Sequence, residues 1–235
     1  MPTCLDFAKI AIASYYTRTA NYDAQNPGHL VDEWSVQHWE SGTVFGNGYQ
    51  GGIWYRRDAV VVGCCGTNPG QKGKFLQDVL ADLKIAVGLI PSQARAAQRM
   101  VSRAKSIAGG RNVYVTGHSL GGGLAQVCGI WEKVPFVTFN APAMQTNVIK
   151  SLFNINNLDA LMSSWSARKN IGDSPGVNFR IEGDIVSSHF KGLAGKHVGM
   201  VVDLPSPTGG SEHSKINCEM AMRTSDWGDI DPFGG

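Results

Sequence analysis

Apolar positions along the chain change their period several times, and each change marks an expected element. In residues 4 to 16 (CLDFAKIAIASYY), Leu5, Ala8, Ile12 and Tyr15 recur near helical spacing, which predicts an amphipathic helix. A second helix is expected over 29 to 37. From Thr43 to Cys65 the texture turns to glycine-rich aromatic segments and then to the unbroken run Ala59-Val-Val-Val-Gly-Cys-Cys. That run fits the second strand of a hairpin, covered on both faces and therefore central in its sheet.

Farther on, helices and strands take turns. The pattern predicts a helix over 94–108, a strand over 111–116 (RNVYVT), a helix over 120–132, and strands over 135–140 (PFVTFN), 177–182 (VNFRIE) and 197–204 (HVGMVVDL). Such alternation predicts an α/β fold with a mainly parallel central sheet and helices on both faces, whose ligands gather at the carboxyl ends of the strands. Chemistry is therefore sought just after each strand. No internal repeat is present, and the Gly/Pro/Ser-rich 205–211 reads as a loop rather than a linker, so the 235 residues are expected to form a single domain.

Composition narrows this picture. With 43% hydrophobic and 17% charged residues the chain is not disordered, and its 29 glycines follow no three-residue period, which points to tight turns rather than collagen. The net charge of +2 names no polyanionic partner, so no nucleic acid is expected. Cys4, Cys64, Cys65, Cys128 and Cys218 do not form a disulfide pattern, and the adjacent pair lies in an apolar strand where thiols are buried and inert. The start, Met1-Pro-Thr-Cys-Leu-Asp, lacks a basic n-region, and no apolar run nears the roughly 18 residues of a spanning helix. The expectation is cytoplasmic synthesis without a signal peptide, with export by a signal-independent route still open.

Gly117-His118-Ser119-Leu120-Gly121 matches G-x-S-x-G, and so does Gly172-Asp173-Ser174-Pro175-Gly176. The two can be told apart. In a nucleophile elbow the residue after the serine donates its backbone N–H to the oxyanion, and Pro175 has none to donate. The second match also precedes a strand, whereas an elbow closes a strand and opens a helix. The first match does both: RNVYVT leads in, Leu120 can donate, and Gly121-Gly122-Gly123-Leu-Ala-Gln-Val-Cys opens an apolar helix. Ser119 is thus the candidate nucleophile, with the helix N-terminus lending positive charge where an oxyanion would form.

A second oxyanion donor belongs on the loop after an earlier strand. The strand from Ala59 to Cys65 exits through Gly66-Thr67-Asn68-Pro69, and Thr67 offers both an N–H and a hydroxyl. The acid is sought at a carboxyl strand end after the serine, and Asp184, in Gly183-Asp184-Ile185-Val186, follows VNFRIE. Asp173, before that strand, and Asp203, near the end of the last one, are alternatives. Three histidines follow Asp184. His189 is only five residues on, and His197 enters the final strand at its amino end, whereas His213 follows that strand through a loop able to fold back over Ser119. His213 is the first choice for the base and His197 the alternative; His118 is read as a packing or substrate-edge residue.

These segments resemble the class-three, fungal-type lipase branch of the α/β-hydrolases over roughly residues 55 to 215. The likeness rests on Val60-Val-Val-Gly-Cys-Cys-Gly-Thr67, Asp82-Leu83, Val115-Thr-Gly-His-Ser119-Leu-Gly-Gly-Gly-Leu-Ala125, Thr138-Phe-Asn-Ala-Pro142, Gly183-Asp184-Ile-Val186 and His213-Ser214. Two departures stand out. Cys65 takes the place of the family's usual arginine, and the interval from Asp184 to His213 is shorter than in the fungal enzymes and closer to compact bacterial members.

The resemblance implies an α/β-hydrolase fold and a serine carboxylic ester hydrolase acting on lipids, a lipase or phospholipase A type enzyme. It implies a triad of Ser119, His213 and Asp184, oxyanion donors Thr67 and Leu120, and no cofactor or metal. A small-ester esterase or thioesterase is one rival, and a catalytically silent fold used for binding another. Residues 84–91 (KIAVGLIP) fall where the family places a lid, and 152–165 (LFNINNLDALMSSW) form a second candidate cap; either segment can equally be core. Between Asp82 and Glu132 there are six basic residues and no acid, and Arg95, Arg99 and Arg103 share one helical face. That face suits transient contact with an anionic membrane surface, unless acids elsewhere, such as Asp226, Asp229 and Asp231, pair with it. If the protein is an exported bacterial effector, an inhibitory partner protein is a further expectation.

Overall fold

Thr3 and Asp6 open the first helix by exchanging hydrogen bonds, each side chain accepting the other's backbone N–H, so two otherwise orphaned amides are satisfied. In the computed structural model the described residues are 1–16, 30–41, 49–66, 93–144, 175–189, 196–207 and 212–234. Helix α1 spans Cys4–Ala13, and a single 3-10 turn, Ser14–Tyr16, completes the expected apolar stretch. Strands β1 (Ser35–Ser41), β2 (Gln50–Tyr55) and β3 (Ala59–Cys64) come next. Residues 93–107 form helix α2. Then come β4 (Asn112–His118), α3 (Leu120–Glu132), β5 (Phe136–Phe139), β6 (Gly176–Ile181), α4 (Ile185–His189), β7 (Met200–Leu204) and α5 (Lys215–Thr224).

The seven strands make one sheet in chain order, antiparallel from β1 to β3 and parallel from β3 to β7. This is the mainly parallel sheet of the α/β-hydrolase fold. Alternation along the strands divides the core in two. Val60, Val62 and Cys64 face one way and pack with α2 and α3, while Ala59 and Val61 face the other and pack with α1 and α5. Because both faces are covered, β3 is buried at every position, which explains its unbroken apolar run.

One expected element is corrected. No helix covers the described part of 29–37: Val31 and Trp34 bridge each other, and Ser35 begins β1, paired with Tyr55 of β2. The free edge of the β2–β3 hairpin supplies backbone partners there, and such tertiary pairing overrides weak local periodicity. Trp34 is fixed in addition by Arg56 over its ring at 4.6 Å and by a hydrogen bond to Asp6 at 3.2 Å. The last strand also starts later than expected, at Met200, after Gly199 turns the chain with φ +84°.

Phe136 links the parallel half of the sheet to α3. Its ring fills the gap left by two glycines, since a Cβ on either Gly129 of α3 or Gly176 of β6 would collide with it. Phe136→Ala should therefore lower unfolding free energy by about 3–5 kcal/mol in urea denaturation, as for other fully buried large side chains.

Candidate active site

Strand β4 and helix α3 are joined by one residue, Ser119, held at φ 58°, ψ −129°. An L residue there is strained by about 1–3 kcal/mol, which the surroundings must hold in place. They do so through the Ser119 N–H, donated to Phe139 at 3.0 Å, and the Gly123 N–H, donated to the Ser119 carbonyl at 3.1 Å. The glycines serve close approach. A Cβ on Gly117 would lie 2.7 Å from the Gly122 nitrogen, and one on Gly121 would strike the backbone carbonyl of Cys64. Leu120 is the first residue of α3, in the turn whose amides have no intrahelical partner.

Ser119 Oγ lies 2.8 Å from His213 Nε2, and His213 Nδ1 lies 2.8 Å from Asp184 Oδ1. All three residues are buried. Asp184 follows β6 through a turn in which Gly183 takes φ +88°, and its Oδ2 accepts the Ser187 N–H at 2.8 Å in the first turn of α4. Burial pushes the Asp184 carboxyl up, but the hydrogen bonds from His213 and Ser187 outweigh it and leave the group below its ordinary value. An ionised carboxylate only accepts, so the proton between them sits on His213 Nδ1, and Nε2 is left to accept the Ser119 O–H. This arrangement can withdraw a proton from the serine and return it to a leaving group.

The sequence-derived residues Ser119, Leu120, Asp184 and His213 thus converge at the carboxyl ends of β4 and β6. His197 does not join them, because its Nε2 is engaged with the Ala141 carbonyl at 2.9 Å. Asp203 pairs with Arg180 on β6. Thr67, Asp173 and both candidate cap segments, 84–91 and 152–165, lie outside the described residues. Gly66, the last described residue after β3, lies close to the nucleophile: a Cβ on it would stand 3.3 Å from that of Ser119. Among the described residues no three His, Cys, Asp or Glu side chains gather to hold a metal ion. Burial pushes the Cys64 thiol up to about 12, so it is no nucleophile at neutral pH.

Two further residues, Asn140 and Tyr15, support the site. Asn140, after β5, donates to the Glu212 carbonyl at 2.7 Å and accepts the Ile181 N–H at 2.8 Å, tying the histidine loop to the end of β6. A polar residue closing an apolar strand was the available signal. His118 is buried, with Nδ1 2.9 Å from the Tyr15 hydroxyl and Nε2 2.9 Å from the His213 carbonyl. Nothing local reveals Tyr15, which comes from the far end of the chain.

A family model described as a Tle-like phospholipase domain matches residues 30–204. Among solved structures, the Lip2 lipase of Yarrowia lipolytica is similar at 15% identity and TM-score 0.59, over 86% of this chain and 78% of that one. The Rhizomucor miehei lipase in its propeptide complex is similar at 15% identity and TM-score 0.54, over 85% and 67%. A triacylglycerol lipase described as having a serine protease triad as its catalytic centre is similar at 15% identity and TM-score 0.52, over 85% and 78%. These likenesses show the fold. No curated protein sequence matches.

Burial, with the neighbouring His213 charge, pushes His118 down to about 3 from an unfolded value near 6.5, with Asp184 and Lys215 also in its field. The unfolded chain takes up this proton below about pH 6.5 and the fold does not. The stability contribution is therefore complete above that pH and is lost as pH falls toward 3. Asp184, lowered in the fold, adds a loss only below about pH 4, where the unfolded carboxylate titrates. Unfolding free energy measured in urea should fall between pH 7 and pH 5, and His118→Asn should flatten that slope by up to about 1.4 kcal/mol per pH unit.

Proposed function

The chain belongs to the family of Tle-like phospholipase domains and is a carboxylic ester hydrolase, and we propose that it cleaves acyl esters of lipids, phospholipids foremost, through a Ser119–His213–Asp184 triad. The observation that carries this reading is the unbroken pair of 2.8 Å hydrogen bonds from Ser119 through His213 to Asp184.

In the proposed reaction Ser119 Oγ attacks the acyl carbonyl as its proton passes to His213 Nε2. The oxyanion is held by the Leu120 N–H and by Thr67. The tetrahedral intermediate then expels the alcohol portion of the lipid, which takes the proton from Nε2 and leaves the acyl group on Ser119. Water repeats the sequence, releases the fatty acid and restores the hydroxyl. Asp184 stays ionised and stabilises the imidazolium throughout.

The helix α2 face supports a membrane substrate over a small soluble ester. Arg95, Arg99 and Arg103 are exposed, and none forms an ion pair among the described residues. The tail carrying Asp226, Asp229 and Asp231 does not neutralise them. It lies over α1 on the opposite side of the sheet, where Cys4 and Leu5 donate to Ile230 and Gly228 and Phe233 stacks on Tyr114.

Lipid-product analysis by mass spectrometry should show fatty acid and lysophospholipid from wild type and neither from Ser119→Ala, with Asp184→Asn reduced by about 10,000-fold in kcat. Product formation by Ser119→Ala would overturn the nucleophile assignment. Best turnover on monomeric short p-nitrophenyl esters would overturn the lipid preference. Replacing Arg95, Arg99 and Arg103 together by Gln should weaken binding to phosphatidylglycerol vesicles by on the order of 100-fold at low salt, from about 1 kcal/mol per basic residue, and leave short-ester turnover unchanged.

A further inference from the structure

The residue bonded covalently to the candidate nucleophile also grips the backbone of its base. His118 precedes Ser119, and its Nε2 lies 2.9 Å from the His213 carbonyl oxygen. A carbonyl only accepts, so Nε2 carries a hydrogen. Burial keeps the ring neutral, pushing it down to about 3, so Nδ1 must be bare. The Tyr15 hydroxyl, 2.9 Å away, then donates to Nδ1. Tyr15 is itself buried, burial pushes its phenol well up so that it keeps its proton, and its oxygen lies against Gly66, where an added Cβ would strike it.

These contacts close a path around Ser119. It runs from the Gly66 turn, where the expected oxyanion loop begins, through Tyr15 of the N-terminal segment and His118 at the end of β4, to the His213 loop. The path leaves no slack at its start, because a Cβ on Gly66 would strike the Tyr15 hydroxyl and lie 2.7 Å from the His118 carbonyl. Lys215, two residues past His213, holds the other side of the same tyrosine with its ammonium 4.1 Å from the ring centroid. Asp184 fixes the rotation of the His213 ring. Asn140 holds the preceding carbonyl, that of Glu212. The bond from His118 ties the His213 backbone to the end of the strand that leads into Ser119.

We propose that His118 and Tyr15 are positioning residues, which set the distance between Ser119 and His213 by fixing the His213 backbone carbonyl relative to the elbow and to the turn after β3. The inference rests on the triad reading above. Its consequence is specific. Loss of the path should slow acylation of Ser119 while substrate binding is kept, since misplacement by about 1 Å can cost about 100-fold in rate.

The test compares wild type with His118→Gln, His118→Asn and Tyr15→Phe by the rate of Ser119 labelling with a fluorophosphonate, by kcat and KM on a short p-nitrophenyl ester, and by urea denaturation. Glutamine places an amide nitrogen where Nε2 stands and should keep labelling within about threefold of wild type. Asparagine presents polar atoms toward Tyr15 but does not reach the His213 carbonyl, and should lose about 10- to 100-fold in labelling and kcat with KM within about twofold. Tyr15→Phe, which removes one oxygen, should lose about tenfold in the same way. Wild-type labelling rates in both His118→Asn and Tyr15→Phe would overturn the proposal. So would an equal loss in the Gln and Asn variants when both are as stable as wild type. If a His118 variant does not fold, Tyr15→Phe decides: unchanged labelling overturns the proposal. Failure of the wild type itself to be labelled would overturn the triad reading and this inference together.

Discussion

The site depends on a carboxylate kept ionised out of contact with water. Asp184 has no exposed side-chain surface, and an ion in such a place is stable only when its oxygens are saturated with donors. Two donors are present, the His213 Nδ1–H and the Ser187 N–H. Each comes from a different part of the fold: one from the loop before α5, the other from the first turn of α4. The tautomer of His213, and with it the direction in which a serine proton can move, is set by that one buried charge. If either donor were misplaced, the acid would protonate or draw in water and the histidine would lose its orientation.

The sheet brings these donors together because its strands end at one edge. Parallel β4, β5 and β6 finish side by side, and a polar residue of the site stands just past each of them, Ser119 after β4, Asn140 after β5 and Asp184 after β6. Asn140 shows how closely the parts are shared, since one amide both satisfies the Ile181 N–H and holds the carbonyl before His213. Two of the four non-glycine residues with positive φ among the described residues stand here, Ser119 at φ 58° and Asn140 at φ 45°. The flanking helices hold them there, and the glycines at 117 and 121 permit the strand and helix backbones to meet.

The resemblance to fungal-type lipases agrees with the family match and with the fold. Cys65 stands where that family has an arginine. Here Lys215, at the start of α5, sets its ammonium over the rings of Tyr15 and Tyr16. A long-range contact thus places positive charge over Tyr15, whose hydroxyl lies against Gly66 just past Cys65.

Much of this architecture was legible in the chain. Elements with a strong local signature came out within a few residues: the doubly buried β3, the amphipathic α1, and the strand–Ser119–helix unit with its run of glycines. These are short-range facts, because periodicity and glycine placement act over a single turn or strand. Where the outcome depended on a partner far away, the sequence was silent or misleading. Residues 35–41 pair as a strand because the β2 edge is free, which no local pattern announces. His213 rather than His197 stands within hydrogen-bond reach of Ser119, and Tyr15 meets His118 only because residues far apart in the chain pack at the same elbow. Sequence by itself determined which residue types stand at which strand ends. Tertiary structure decided which of them meet, because hydrogen bonds of 2.8 Å are set by the packing of whole elements rather than by spacing along the chain.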